Sequence, residues 1–369
     1  MSWSSLHAQS EQYAIEAALK LREQNRNEAR ALYDKAADAE EQALQYLEKS
    51  KVRTRGITAV SAVALWFKAA QYQRAEQLAY KLLADSDIPE FACENIKTLV
   101  QAIWTEGAKQ KAGVTFIPGQ VLVSVKDGET VPGGAPLDLI VQKVQTIQSM
   151  FFRTVEYLNG VIHRKAGSPA RELQEACRPW LFQSIPGSYQ FAVAIQKPRQ
   201  SDFFKEDIEP DQLATHFLEI VRASSGEDER ELEALIEDAT YRKTFLQLTR
   251  NLAPNLQSFE RVELRADGEV HSVCLDSNTR NYINNRLHKK IEPDREIVPT
   301  EETVHGILRA VHLDKDWLDV VVNGDPLHVE GLKDTVDDVI GPMVNRSVAV
   351  RILRQGTEKP KFVDIELSD

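Results

Sequence analysis

Through the first third of the chain, apolar residues recur at steps of three and four. Between Ser61 and Ala84, SAVALWFKAAQYQRAEQLAYKLLA, this spacing reads as two amphipathic helices joined by a tight polar turn. The same pattern over residues 8–107 predicts five helices. The first, near Ala8–Arg22, lines Ala14, Ala17, Ala18 and Leu21 along one face. The second, Glu28–Leu47, lines up Ala29, Leu32, Ala36, Ala39, Ala43 and Leu47, with Asn27 as the expected cap. The third follows the basic run at 49–55 and carries Ile57, Val60, Ala64, Leu65 and Phe67. The fourth carries Ala75, Leu78, Ala79 and Leu82, and Pro89 opens a fifth with Phe91, Ile96, Leu99, Ile103 and Trp104. Alanine on so many packed faces implies helices that approach closely, as stacked hairpins must.

A small, polar linker is expected at Gly107–Gly113, and the pattern then changes. Val121–Val125 alternates as a strand, and Lys126–Glu129 is a turn. Residues 131–136, VPGGAP, are a loop: the prolines remove donors and no Gly-Lys-Ser/Thr follows, so a phosphate cradle is not indicated. The longest central helix, Leu137–Ile162, aligns Ile140, Val144, Ile147, Phe151, Val155, Leu158 and Ile162. Arg153 and Glu156, three apart, are expected to pair on its surface. Further helices are predicted over 170–182, 213–222, 231–251 and 278–287, with a strand at 189–196 and a hairpin of 259–264 with 269–275. Strands at both ends with helices between define an α+β domain.

Residues 292–302 are charged, contain proline and read as a second linker. Beyond them come strands at 304–313, 317–322 and 326–330, a short helix at 335–344, and strands at 347–353 and 362–367. The fold class expected is therefore a multi-domain α+β protein. Helical hairpins occupy 1–112, an α+β domain 113–295 and a small β-barrel 300–369. The barrel's order resembles the OB fold, and an SH3-like barrel gives nearly the same pattern.

Tyr72, Ala75, Ala79 and Leu82, with Pro89 shortly after, resemble a tetratricopeptide-type helical repeat. That resemblance implies interlocked helix pairs and a concave face that holds a partner peptide. It covers less than a third of the chain. Ala29 and Ala75, at equivalent places in successive hairpins, lie 46 residues apart, against about 34 in that family. A plain helical bundle is the other reading of the same residues.

Charge narrows the functional classes. The net charge of −11 is uneven: residues 1–112 hold 15 Lys/Arg and 15 Asp/Glu, residues 301–369 hold 8 and 14. An acidic tail lacks the cations that neutralise phosphate backbones, which disfavours general nucleic-acid binding. Cys93, Cys177 and Cys274 lie too far apart for a disulfide framework or zinc cluster, and a reducing, cytoplasmic compartment is the simpler expectation. No secretory signal and no membrane-length apolar run is present.

No chemical motif emerges. None of the eight histidines forms His-Glu-x-x-His, and His305, His312 and His328 are expected on solvent-facing strand positions. Cys177 and His163 form a nominal dyad, better read as a core thiol beside an unrelated imidazole. Asp202, Glu206, Asp207, Glu209 and Asp211 read as a solvated acidic loop without calcium-ligand spacing. No catalytic, cofactor or metal residues are assigned. The function expected is a non-catalytic adaptor or regulator with a protein partner, in a setting such as a bacterial defence or regulatory complex. Tyr13, Tyr33, Trp66, Tyr72 and Tyr80 are the candidate partner-binding residues. The alternatives are a single-stranded nucleic-acid binder using Arg351, Arg354, Lys359, Lys361, Trp317 and Phe362, and an enzyme with a site in the middle domain.

Overall fold

The computed structural model describes residues 2–23, 25–112, 116, 120–130, 134–183, 189–197, 212–254, 259–266, 272–288, 300–332, 335–354 and 359–368. The chain divides into two compact units, residues 1–114 with 182–185, and residues 115–181 with 186–369. The expected middle and C-terminal domains both fall in the second.

The first unit is five helices: α1 (Trp3–Arg22), α2 (Arg26–Gln45), α3 (Val52–Lys68), α4 (Tyr72–Leu83) and α5 (Glu90–Lys111). Each packs on its sequence neighbour, and α3 also packs on α5. Small side chains permit this: Ala17, Ala29, Ala36, Ala37, Ala43, Ala59, Ala62, Ala75, Ala79 and Ala92 are all at 0% exposure. Trp66, also at 0%, is the one large ring enclosed fully among them. Polar links also join the helices. Ser10 Oγ donates to the Ala36 carbonyl at 2.9 Å, and the buried Glu40 carboxylate lies 2.9 Å from His7 Nδ1. The α3–α4 turn places Ala70 at φ 60°, the left-handed region that suits glycine.

Two expectations shift here. The cap of α2 is Asn25 rather than Asn27, because the Asn25 side chain accepts from the Glu28 N–H while Asn27 is already helical. The linker expected at 107–113 begins later, since α5 continues through Gly107 and Ala108 to Lys111. Ala, Lys and Gln are good helix formers, and one glycine does not stop them.

Beyond the five helices come β1 (Val121–Lys126), α6 (Leu137–Leu158), α7 (Arg171–Ala176), β2 (Pro179–Gln183, its Phe182 and Gln183 grouped with the first unit) and β3 (Tyr189–Ile195). There follow α8 (Leu213–Ser225), α9 (Glu229–Leu235), α10 (Ala239–Leu252), β4 (Arg261–Ala266), β5 (Val273–Leu275) and α11 (Ser277–His288). The sheet order is β2-β3-β1-β4-β5, with β1 antiparallel to both β3 and β4. Val121, Val123 and Val125 of β1 are all at 0% exposure and join one core with Ile147, Phe151, Phe217 and Val221. Phe151 and Phe217 stack with ring centroids 4.1 Å apart.

The helix expected at 170–182 stops at Ala176, and β2 takes its second half as an edge strand. Pro179 explains the change: it has no N–H for a helix but fits the first position of an edge strand. The helix expected at 231–251 is two, because Asp238 caps a fresh start. Its Oδ1 accepts from the Thr240 and Tyr241 N–H groups at 2.7 and 3.0 Å. The central helix ends at Leu158, four residues early.

The last five strands are β6 (Thr300–His312), β7 (Trp317–Val322), β8 (Asp325–Glu330), β9 (Ser347–Arg354) and β10 (Lys361–Leu367). They close into a ring in the order β10-β8-β7-β6-β9. All pairings are antiparallel except β8 with β10. Leu308, Leu318, Val320, Val329, Val348, Val350 and Ile352 fill the interior at 0% exposure. Gly306 is required where β6 crosses β7, since a Cβ there would meet the Val321 carbonyl oxygen at 2.5 Å. The helix expected at 335–344 shortens to α12 (Asp337–Ile340) and a 3-10 turn at Gly341–Met343. Thr300–Glu302, read as linker from sequence, belong to β6 and pair with β9. The rest of that linker and the acidic loop at 202–211 lie outside the described residues.

Candidate functional site

The five candidate partner-binding aromatics separate by depth. Tyr33 and Trp66 are core side chains at 6% and 0% exposure. Trp66 Nε1 donates to Glu41 Oε2 at 2.8 Å, and the Arg74 guanidinium covers its ring at 3.6 Å. Burial raises the Tyr33 phenol above its usual range. Tyr72 is half-buried and tilts against Phe67 at 5.6 Å, and Tyr13 is half-buried beneath Lys35. Tyr80 is 45% exposed and lies 6.5 Å from Trp104, whose indole donates to Glu76 at 2.7 Å.

Other apolar side chains on these helices also face outward. Ile15 and Leu19, one turn apart on α1, are 64% and 50% exposed. Val52 and Phe91 are 46% and 44% exposed. Gly56, one turn on from Val52, sits so close to the α5 start that a Cβ would meet Pro89 Cγ at 2.6 Å and Phe91 Cζ at 2.8 Å. A glycine here lets the start of α5 close on α3. Eight of the fifteen large apolar side chains exposed among the described residues belong to α1–α5 and their turns.

The basic residues of the ring are answered by acids. Arg351 pairs with Glu301, Arg354 Nε with Glu302 at 2.8 Å, and Lys359 Nζ with Glu330 at 2.5 Å. Lys361 is exposed beside Glu330 in the β8–β10 register. Glu301 and Glu302 are the residues mistaken for linker, so the cross-strand pairing that quenches Arg351 and Arg354 was hidden by the boundary. Trp317 is half-buried, with His312 at 5.8 Å and His328 at 5.2 Å. His328 Nδ1 is held 2.7 Å from Asp319 Oδ1. Phe362 is half-buried against the core. Among the described residues, no three His, Cys, Asp or Glu side chains converge as a metal-holding group.

Two buried ionic arrays tie the helices of the second unit to α12 and to β10. In the first, Arg153 at 0% exposure donates Nε to Asp338 Oδ2 at 2.7 Å. Arg164 reaches both Asp338 at 2.8 Å and Glu156 at 2.7 Å. The expected surface pair of Arg153 and Glu156 is thus interior, with Glu156 at 2% exposure. The reason is Asp338, which arrives on α12 nearly two hundred residues later in sequence.

In the second array Arg250, at 0% exposure, grips both oxygens of Asp364 and donates to the Ile365 carbonyl at 2.6 Å. Arg280 adds a bond to Glu366 at 3.0 Å. Burial alone would raise the Asp364 carboxyl. The Arg250 charge and the hydrogen bonds from His288 and Arg250 instead hold it well below the usual carboxylate range.

His163 borders the first array. Its Nε2 lies 2.9 Å from Thr244 Oγ1 and its ring meets Tyr241 edge-on at 4.7 Å. Burial, then the Arg153 charge, brings its pKa down to about 4, so the imidazole is neutral. Cys177 is buried and its thiol is pushed up to about 12 by desolvation, which makes it a poor nucleophile. The His163 bond to Thr244 gives the imidazole a structural partner.

No protein-family model, curated protein or solved structure matches this chain. Its class, on the geometry, is a multi-domain α+β protein with helical hairpins and a closed five-stranded C-terminal ring. Among the described residues no helix is long and apolar enough to cross a membrane.

Proposed function

We propose that this chain is a non-catalytic adaptor whose helical hairpins dock a protein partner. The observation that carries the reading is the concentration of outward apolar side chains on α1–α5, among them Val52, Tyr80 and Phe91. Scattered exposed apolar residues are ordinary; a concentration of them on one set of helices marks an interaction surface. The hairpins follow the tetratricopeptide type in their interlocking alanines, with a longer offset between Ala29 and Ala75. Affinity capture with the full-length chain should recover a stoichiometric protein partner. Phe91→Asp with Tyr80→Asp should abolish recovery while the far-ultraviolet circular dichroism stays unchanged. Equal recovery by that variant would refute the docking role of these side chains.

A second reading has its own support. Counting ring strands from β6, the first pairs with the second and fourth, and the third runs parallel to the fifth. With a helix between third and fourth, this order supports the resemblance to the OB fold. Trp317, between two imidazoles, offers a stacking surface for a single-stranded nucleic acid. The acids beside Arg351, Arg354 and Lys359 weigh against it. Salt-sensitive binding of oligothymidylate, lost in Trp317→Ala, would promote this reading over the first.

A further inference from the structure

Helix α1 carries a second ordered face besides the one that packs on α2. The side toward α2 buries Leu6, Ser10 and Ala17, with Ser10 bonded to the Ala36 carbonyl. On the opposite side lie Ser4, Ala8, Glu11, Ile15, Ala18 and Arg22, and all six are exposed. They follow one another at alternate steps of four and three, the heptad spacing of a helix-pairing seam. Leu19, one turn beyond Ile15, is exposed beside them. Single exposed apolar residues need no explanation. An isoleucine and two alanines in heptad register on the outward side of a surface helix, where polar residues are the rule, describe half of a packed interface.

The charges of the seam say what the other half is. Glu11 stands one step before Ile15, and Arg22 one step after Ala18. Within the chain Glu11 reaches only His7 Nε2, at 3.6 Å, and Arg22 makes no ion pair among the described residues. In an antiparallel helix pair each layer joins one position of the first kind to one of the second. The layer that sets Ile15 against Ala18 of another copy also sets Glu11 against Arg22 of that copy, twice over by symmetry. A register one layer away puts Glu11 against Ile15 instead. A parallel pair puts Glu11 on Glu11 and Arg22 on Arg22, like charge on like. One arrangement satisfies the apolar and the charged positions together, and in it the face is complementary to itself.

We infer that α1 is the contact through which two copies of this chain pair, antiparallel, about Ile15 and Ala18 with Glu11–Arg22 bridges at both ends. A single helix pair is a small interface, so an affinity on the order of micromolar is expected. The pairing uses none of Val52, Tyr80 and Phe91, so it can fail while the adaptor reading holds, and the reverse.

Sedimentation equilibrium of the full-length chain tests it. The mass should rise from one copy toward two as the concentration passes through the micromolar range. Ile15→Asp should abolish that rise and leave the melting temperature unchanged, since the side chain is exposed. Glu11→Arg should weaken pairing about tenfold by facing like charges at both ends of the seam. Glu11→Arg combined with Arg22→Glu should restore it, which a merely sticky surface would not do. A single-copy mass at every concentration, a dimer indifferent to Ile15→Asp, or a charge swap that fails to restore pairing would overturn the inference.

Discussion

The two units are held together by different means. In the first, ten alanines at zero exposure let helices close on one another. In the second, arginines as deeply buried tie distant elements together: Arg153 of α6 to Asp338 of α12, and Arg250 of α10 to Asp364 of β10. Alanine packing is local and repeats along the chain. The ionic arrays join residues 185 and 114 positions apart, so they exist only once those elements have met. A buried pair adds less stability than its Coulomb energy suggests, but removing one partner strands the other. The second unit should therefore be brittle to single charge changes, and the first to changes of volume.

The sharpest break of this contrast is Asp364→Asn, which leaves Arg250 without its counter-charge. It should cost the second unit about 3–5 kcal/mol, read as the shift of its transition in calorimetry. The double variant Arg250→Met with Asp364→Leu should recover much of that loss, since no orphaned charge remains. Trp66→Ala should cost the first unit about 3–5 kcal/mol by leaving a cavity, and should move the second unit's transition far less.

A smaller effect comes from pH. His163 is neutral when folded, with a pKa of about 4 against 6.5 for the free side chain. Between those values the unfolded chain binds the extra proton, so stability present above 6.5 is lost as the pH falls toward 4. The loss should be roughly 2 kcal/mol once solvent screening is allowed for, and His163→Gln should flatten it in denaturant titrations. Asp364 acts in a separate window, because its depressed pKa costs stability only below 3.8. The smallest change is a gain: Ala70→Gly, at φ 60°, should stabilise the first unit by up to about 1 kcal/mol.

How much of this was legible follows from the same contrast. The five hairpin helices could be read because Ala29, Ala36 and Ala43, or Ala75, Ala79 and Leu82, repeat at helical spacing. The succession of strands in the C-terminal ring was legible too, at 304–313, 317–322, 326–330, 347–353 and 362–367. What spacing could not reveal was which charges would be buried. Arg153 and Glu156 look like any surface pair until Asp338 is brought to them. The β2 error had a signal, Pro179 beside Trp180 and Phe182, outweighed by the helical spacing of Leu173 and Cys177. The split between α9 and α10 had one as well, since Asp238 followed by Ala239 and Thr240 is a helix start. Of the candidate aromatics, sequence could not tell the enclosed Trp66 from the exposed Tyr80, because both sit on amphipathic helices.

Hydrogen–deuterium exchange of the full-length chain, alone and with the partner it captures, addresses the adaptor reading most directly. The account predicts slowed exchange at the start of α3 around Val52–Ile57, at the first turn of α5 around Phe91, and beside Tyr80. Slowing confined to β7 and β8, or none in α1–α5, would contradict it.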